Sequence, residues 1–207
     1  MWCCASQIIK YHLHALSCMH LSRDVLKKLI LENNLVSKYG DLDAQLTPNG
    51  VDMRLAAIVE IVDGGRLAVS KGDNKSPQLG TAVVLKGFED RLEGYDLKDM
   101  QVVDDGVVKI KKLQPYFVVT CEEVSTPPHL MFHIAARTSL FRLTQSLLGC
   151  TFGEAGYKGF LTFMLLPFLD GEIELGARFA QLSFTELKGE AHYEQQKESN
   201  YQGGKLF

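Results

Sequence analysis

Cysteine is scarce and unpaired in this sequence: there are five, an odd number, and no C-x-x-C occurs. That argues against a secreted disulfide scaffold. No apolar run approaches the roughly 20 residues that a membrane span needs. Neither sign of charge dominates, since 22 Lys and Arg stand against 25 Asp and Glu for a net of −3, and no long basic run occurs. Nucleic-acid binding driven by phosphate neutralisation is therefore not expected. An acidic chain can still bind a triphosphate, through a few placed Arg residues or a divalent cation. Also missing are GxxxxGK[ST], a GxGxxG after a strand, HExxH, the H-x-E…P-C-x-x-C deaminase zinc signature and GxSxG.

What is present is an apolar content of 46% in 207 residues, enough for one ordinary domain with a sizeable core. Residues 1–20 stand apart as an N-terminal extension, holding Cys3, Cys4, His12, His14, Cys18 and His20. Their spacing does not match the paired ligands of structural zinc sites. Lys10, His12 and His14 interrupt what would be a signal-peptide core, so a cytoplasmic location is expected. An alternative is that Met19 is the natural start.

Leu21–Asn34 predicts a helix, with Val25, Leu26, Leu29 and Ile30 on one face and Ser22 or Asp24 capping the first turn. From Gln45 the texture changes to short runs rich in Val, Ile, Phe and Thr. These are Val51–Ile61, Ala82–Leu85, Val107–Ile110, Tyr116–Cys121, Leu130–Ala136, Phe160–Leu166, Glu172–Leu175 and Arg178–Phe184. Asp63-Gly64-Gly65, Asp104-Asp105-Gly106 and Asp170-Gly171 punctuate them as turns. The spacing predicts a mainly β sandwich, jelly roll or barrel. Ser70–Met100 is polar and Gly-rich, and reads as a long excursion between strands.

Three segments carry candidate chemistry. Arg137-Thr138-Ser139-Leu140-Phe141-Arg142 offers two guanidiniums and two hydroxyls, suited to phosphate oxygens, but fits a capped surface helix as well. Gly153-Glu154-Ala155-Gly156-Tyr157-Lys158-Gly159 places an acid and a Tyr among glycines between two strands. It could approach a ligand closely or form a plain hairpin. The tail, Tyr193 to Phe207, ends in Asn200-Tyr201-Gln202-Gly203-Gly204 and could fold over a ligand or fray.

In this order the segments resemble the dCTP deaminase/trimeric dUTPase superfamily. Leu21-Ser22-Arg23-Asp24 resembles the opening helix of the deaminase branch. Gln45 to Leu55 resembles the P-x-[S/G]-V-D-L-R-L strand, and Tyr116 to Arg142 the run ending in R-[ST]-[ST]-x-x-R. Glu154–Gly159 resembles D-x-G-[FWY]-x-G, Gly176–Leu182 resembles G-x-[RM]-[IF]-A-Q-L, and Tyr193 with Asn200–Gly203 resembles Y…K-Y-Q-G. The resemblance implies a distorted dUTPase-like β-barrel or jelly roll with a short N-terminal helix over residues 21–192. The tail, 193–207, would cover the nucleotide site. It also implies a homotrimer, a pyrimidine deoxynucleoside triphosphate as ligand, and Mg²⁺ bound through the triphosphate. Arg137, Thr138, Ser139, Arg142, Tyr157, Gln181, Tyr193, Tyr201 and Gln202 would contact the nucleotide.

The two branches place their working carboxylate differently. In the resemblance, deaminases carry a Glu in the strand after the hairpin, ten positions beyond the hairpin acid. Here that position is Met164, in the apolar run Phe163-Met164-Leu165. The dUTPase branch uses an Asp in the hairpin to deprotonate a water, and Glu154 stands there. The expected activity is therefore dUTP hydrolysis to dUMP and pyrophosphate, with Glu154 as the base. A dCTP deaminase homologue and a non-catalytic deoxynucleotide-binding homologue are the alternatives.

Overall fold

The computed structural model describes residues 19–149, 152–191, 193 and 201–207. Cys3, Cys4, His12, His14 and Cys18 of the N-terminal extension lie outside the described residues; His20 lies within them, bridged to Thr185.

Helix α1 (Arg23–Asn33) opens the described chain and buries Leu26 and Ile30. Val25, expected on the same face, is 44% exposed. Ser22 stands at the N-cap as expected, but its side chain makes no capping hydrogen bond. At the other end Asn34 takes the left-handed conformation and returns its N–H to the Leu29 carbonyl, as Asn tolerates. Strand β1 (Val36–Ser37), the short helix α2 (Leu42–Gln45) and β2 (Leu46–Thr47) lead into the longest strand, β3 (Gly50–Asp63).

The chain then runs through a 3₁₀ turn at Lys71–Asp73, β4 (Gln78–Leu85), a second 3₁₀ turn at Glu89–Leu92, β5 (Asp99–Val103), β6 (Val107–Ile110) and β7 (Tyr116–Ser125). Next come β8 (Leu130–Ala136), α3 (Thr138–Thr144), β9 (Ser146–Gly149), β10 (Phe152–Gly153), β11 (Lys158–Pro167), β12 (Gly171–Glu174) and β13 (Arg178–Glu186).

These form a curled sheet in the order β10-β8-β13-β3-β7-β11-β9, with β1, β2, β4 and β5 paired at its margins and β12–β6 as a separate ribbon. The pairings are antiparallel apart from β4–β5, which is parallel. Register breaks in β3, β11 and β13 let so long a sheet curl rather than lie flat.

β3 organises the core because it pairs with strands on both sides. Near its start Met53 and Leu55 join Phe132, Phe179 and Phe184 in the larger apolar cluster. Further along, Ala57 and Val59 join a second cluster with Leu79, Val84, Leu92, Val119, Phe160 and Leu206. The polar excursion at Ser70–Met100 is thus not a structureless loop. It supplies β4 and, in Leu79, Ala82, Val84 and Leu92, four side chains of the second cluster, and the tail supplies Leu206.

Candidate functional site

Asp52 and Arg54 lie two residues apart on β3 and so share a face of the sheet, opposite the buried Met53. Asp52 is 1% exposed. Its Oδ2 lies 2.9 Å from Arg137 Nε and 3.4 Å from Arg178 Nη1. Gln181 is the direct cross-strand partner of Asp52, and its amide donates to Asp52 Oδ1 at 3.3 Å and to Thr47 Oγ1 at 3.0 Å. Burial pushes the Asp52 carboxyl above its ordinary value, and Arg137 and Arg178 pull against that shift.

Beside this group, the fully buried Glu122 receives the Arg54 side chain at 2.7 Å, the Arg54 backbone N–H at 2.7 Å and the Gln45 amide at 2.9 Å. Gln45 also donates to the Asp52 carbonyl at 2.8 Å, tying the two groups together. Both carboxylates are therefore occupied as organisers of Arg side chains.

Arg137, expected on phosphate, is half-buried and shared between Asp52 and the Arg178 carbonyl. Thr138 and Ser139 open α3 immediately after it. Arg142 is exposed in the last turn of α3, its guanidinium 5.9 Å from the Phe141 ring. Among the described residues no carboxylate pairs with Arg142.

A second group gathers at the segment of the hairpin motif, which the structure shows as a turn between β10 and β11: these strands pair with β8 and with β7 and β9, not with each other. Thr126 fixes it: the Thr126 N–H and hydroxyl both donate to the Tyr157 carbonyl at 2.9 Å, and the Gly156 N–H returns to the Thr126 carbonyl at 3.1 Å. Tyr157 is not presented to solvent. It packs edge-on against Phe132 and Tyr193, and its hydroxyl donates to the Phe160 carbonyl. Burial pushes the Tyr157 hydroxyl far above its ordinary value, so it stays protonated. Glu154 sits at the lip of an open cavity of about 480 Å³, together with Met131, Phe152, Ala155 and the buried Tyr193.

The tail closes on this hairpin within one chain. Gln202 accepts from the Lys158 N–H at 3.0 Å and donates to the Gly156 carbonyl at 3.2 Å, and the Gly203 N–H donates to the Lys158 carbonyl at 2.7 Å. Glycine is required here, because a Cβ on Gly204 would come within 2.5 Å of the Phe160 ring and Gly204 holds a φ of +85°. Beyond it Leu206 enters the second core cluster, its N–H donating to the Tyr95 hydroxyl at 2.9 Å, while Phe207 packs edge-on to Tyr95. Tyr201 stays half-exposed at the tail's entry.

On the other side of Phe160 lies Arg91, 2% exposed, its guanidinium 4.5 Å from the Phe160 ring. Its Nη1 lies 2.7 Å from Glu123 Oε1 and its Nη2 donates to the Cys121 carbonyl at 3.0 Å. Burial pushes the neighbouring Cys121 thiol up to about 12, which leaves it inert.

The expected residues thus fall into two groups. Arg137 and Gln181 meet through Asp52. Glu154, Tyr157, Tyr193, Tyr201 and Gln202 meet at the hairpin. Among the described residues no hydrogen bond or ion pair joins the two groups. Asp52, Glu122, Arg178 and Arg91 were missed as organisers. Asp52 interrupts an apolar strand, and Glu122-Glu123 puts two acids side by side on a strand, where one must face inward.

The family model for dCTP deaminase-like proteins matches residues 20–187. The chain belongs to this family. A dCTP deaminase of Haloarcula marismortui is 28% identical over 187 residues, covering 87% of each chain. A probable deoxyuridine 5′-triphosphate nucleotidohydrolase of Archaeoglobus fulgidus is 27% identical over 169 residues, covering 81% of this chain and 88% of its own. Among solved structures, the 2′-deoxycytidine 5′-triphosphate deaminase of Agrobacterium tumefaciens superposes with a TM-score of 0.55 at 16% identity. The match covers 81% of this chain and spans about half, 48%, of that one, and it bears out the mainly β, curled-sheet fold. Family members carry both enzyme names, so the family defines deoxynucleotide chemistry without choosing between them. Among the described residues, no helix is long and apolar enough to cross a membrane.

Proposed function

We propose that this chain is a dUTP diphosphatase-like hydrolase that converts dUTP to dUMP and pyrophosphate. One observation carries the choice. Met164 stands on β11 between the buried Phe163 and Leu165, facing Gly149 and Phe117 across the sheet. A thioether cannot move a proton, so the strand lacks the base that deamination needs. The hairpin keeps an ionisable group in Glu154, beside a cavity. There Glu154 would take a proton from water as its oxygen bonds to the α-phosphorus and the pyrophosphate oxygen leaves.

Arg142 and Arg137, with Thr138 and Ser139, suit the phosphate oxygens, and Gln202 and Tyr201 close the hairpin side. The separation of these groups in one chain supports a homotrimer whose sites take residues from neighbouring subunits. Exposed Phe141, Leu143 and Leu147, on α3 and β9 beside Met164, offer apolar surface for such an assembly. Among the described residues no group of three or more His, Cys, Asp or Glu converges to hold a metal. Mg²⁺ would accordingly arrive on the triphosphate, where it neutralises phosphate charge.

A dCTP deaminase activity is the second reading, favoured by the names of the Haloarcula relative and of the family model. Incubation with dUTP or dCTP and Mg²⁺, with dUMP, dUTP and pyrophosphate resolved, separates the two. The proposal expects dUMP and pyrophosphate from dUTP. Robust dUTP formation from dCTP overturns it.

A further inference from the structure

We propose that Arg66, Lys75 and Lys205, with the ring of Tyr201, form a binding site for a polyphosphate anion at the opposite end of β3 from Arg137. β3 ends at Asp63, the chain turns at Gly64 and Gly65, and Arg66 then pairs with Lys75 in an antiparallel bridge. Both backbone hydrogen bonds of that bridge are made, Arg66 N–H to the Lys75 carbonyl at 2.9 Å and Lys75 N–H to the Arg66 carbonyl at 3.0 Å. Residues paired in this way stand directly opposite with their side chains on one face. Two cations in that relation repel and cost stability unless something anionic lies between them. The Ala68 N–H donates to Asn74 Oδ1 at 2.8 Å and holds the intervening loop closed, which keeps the two backbones paired.

The tail completes the site. Burial of Leu206 and its bond to Tyr95 fix the residue before it, Lys205, and Tyr201 enters from the same segment. Together with Arg66, Lys75 and Lys71 they line a cavity of about 510 Å³ that also contains Phe207 and no carboxylate. Among the described residues, no Asp or Glu pairs with Arg66, Lys75 or Lys205. In a chain with a net charge of −3 this is a concentrated positive field from two remote segments.

The chemistry selects phosphate chains. A guanidinium forks onto phosphoryl oxygens and the ammonium groups add point charges. The volume lies within the range of about 300–1,000 Å³ typical of small-molecule sites, more than a lone phosphate needs. Asp52, which holds Arg137, and Asp63, which precedes this loop, are separated by eleven residues of β3, about 36 Å of strand at about 3.3 Å per residue. Within one protomer the site is therefore apart from Arg137. Because Gln202 of the same tail clamps the hairpin, a bound anion would also hold the tail in its closed position.

The test is titration calorimetry of the full chain with inorganic pyrophosphate at two salt concentrations. The wild type, Arg66→Glu/Lys75→Glu and Arg66→Lys/Lys75→Arg are compared, with thermal melts as a folding check. Charge reversal should weaken the salt-sensitive binding about tenfold or more, while the charge-conserving pair retains it. A nucleoside-triphosphate arm identifies the source. Weakened dUTP binding in the charge-reversed variant points to a nucleotide's phosphate chain, and unchanged dUTP binding points to free pyrophosphate. Pyrophosphate that fails to bind the wild type, or that binds the charge-reversed variant equally well, overturns the proposal. Neither result depends on whether dUTP is hydrolysed, so the proposed activity stands or falls separately.

Discussion

Arg137 Nε lies 2.9 Å from Oδ2 of Asp52, a carboxylate 1% exposed at the start of β3. This places the first Arg of the R-T-S-x-x-R segment against the family's strand aspartate, with Arg178 as a more distant third member. Truncating Arg137 leaves Asp52 buried with two longer contacts, Arg178 at 3.4 Å and Gln181 at 3.3 Å. Arg137→Ala should lower unfolding free energy by about 3 kcal/mol, the usual cost of orphaning a buried charge. Denaturant unfolding of the two proteins measures it. A change near zero would mean that Arg178 and Gln181 satisfy Asp52 unaided.

Glu123 gives a pH dependence of known sign. Burial raises its carboxyl, but hydrogen bonds from Lys38 and Arg91 outweigh that and hold it below its ordinary value of 4.5. A lowered folded-state value means that the unfolded chain binds the proton more tightly. The contribution of Glu123 to stability is therefore complete above about pH 4.5 and disappears as pH falls through the folded-state value. Asp52 has the opposite shift, and its unfavourable contribution fades on acidification. Glu123→Gln isolates the first effect. Its unfolding midpoint should fall less steeply between pH 5 and pH 3 than that of the wild type, followed by circular dichroism.

The tail latch predicts a local effect. Tyr95→Phe removes the acceptor for the Leu206 N–H, and Leu206→Ala removes a buried side chain from the second core cluster. Either should loosen the tail without melting the sheet. Hydrogen exchange at the Lys158 amide, which is held by Gln202, should speed up several-fold in both, because local opening governs exchange of that amide. Unchanged exchange would separate the Leu206 anchor from the Gln202 clamp.

Much of this fold was legible in the sequence because β3, β7, β8, β11 and β13 carry dense runs of Val, Ile, Phe and Leu bounded by Gly and Asp. The apolar runs Val107–Ile110 and Leu130–Ala136 coincide with β6 and β8 to the residue. The excursion at Ser70–Met100 was read as polar and irregular because β4 alternates and β5 lies at an exposed margin, so local hydrophobicity gives little sign of either. The site was legible as segments, not as relationships. That Arg137 is held by Asp52, or that Arg91 is sandwiched against Phe160, depends on residues 85 and 69 positions apart in sequence, which only strand pairing brings together. Tyr157 shows the limit most clearly. The motif implies that Tyr157 contacts the nucleotide, yet Phe132 and Tyr193 enclose its ring.

Arg142 separates a phosphate contact from a surface charge. It is exposed, with no carboxylate partner among the described residues. Arg142→Ala should therefore leave stability within about 0.5 kcal/mol of the wild type. Loss of a charge-assisted bond to the triphosphate should weaken nucleotide binding or catalysis by about 1.5–3 kcal/mol. Paired unfolding and titration measurements decide it, and unchanged affinity and rate would make Arg142 a solvent-facing charge.

Glu154 and Met164 carry the choice of chemistry. If Glu154 takes the proton from the attacking water, Glu154→Gln should cut dUMP release by about 10²–10⁴-fold. Nucleotide binding should persist, because the amide keeps the shape and the hydrogen-bonding capacity. Glu154→Asp shortens the side chain by one methylene, matching the acid of the family hairpin pattern, and should retain activity or raise it. Met164→Glu supplies the carboxylate that the deaminase pattern carries, on a strand flanked by buried Phe163 and Leu165. Met164 itself is 43% exposed and alternates with those two along the strand, so a carboxylate there points away from them and stays solvated. That variant should unfold within about 0.5 kcal/mol of the wild type and should not gain dUTP formation from dCTP, since a base alone does not position the cytosine ring. Product analysis of the four proteins on dUTP and dCTP makes the comparison, and dUMP release undiminished in Glu154→Gln would remove Glu154 from the reaction.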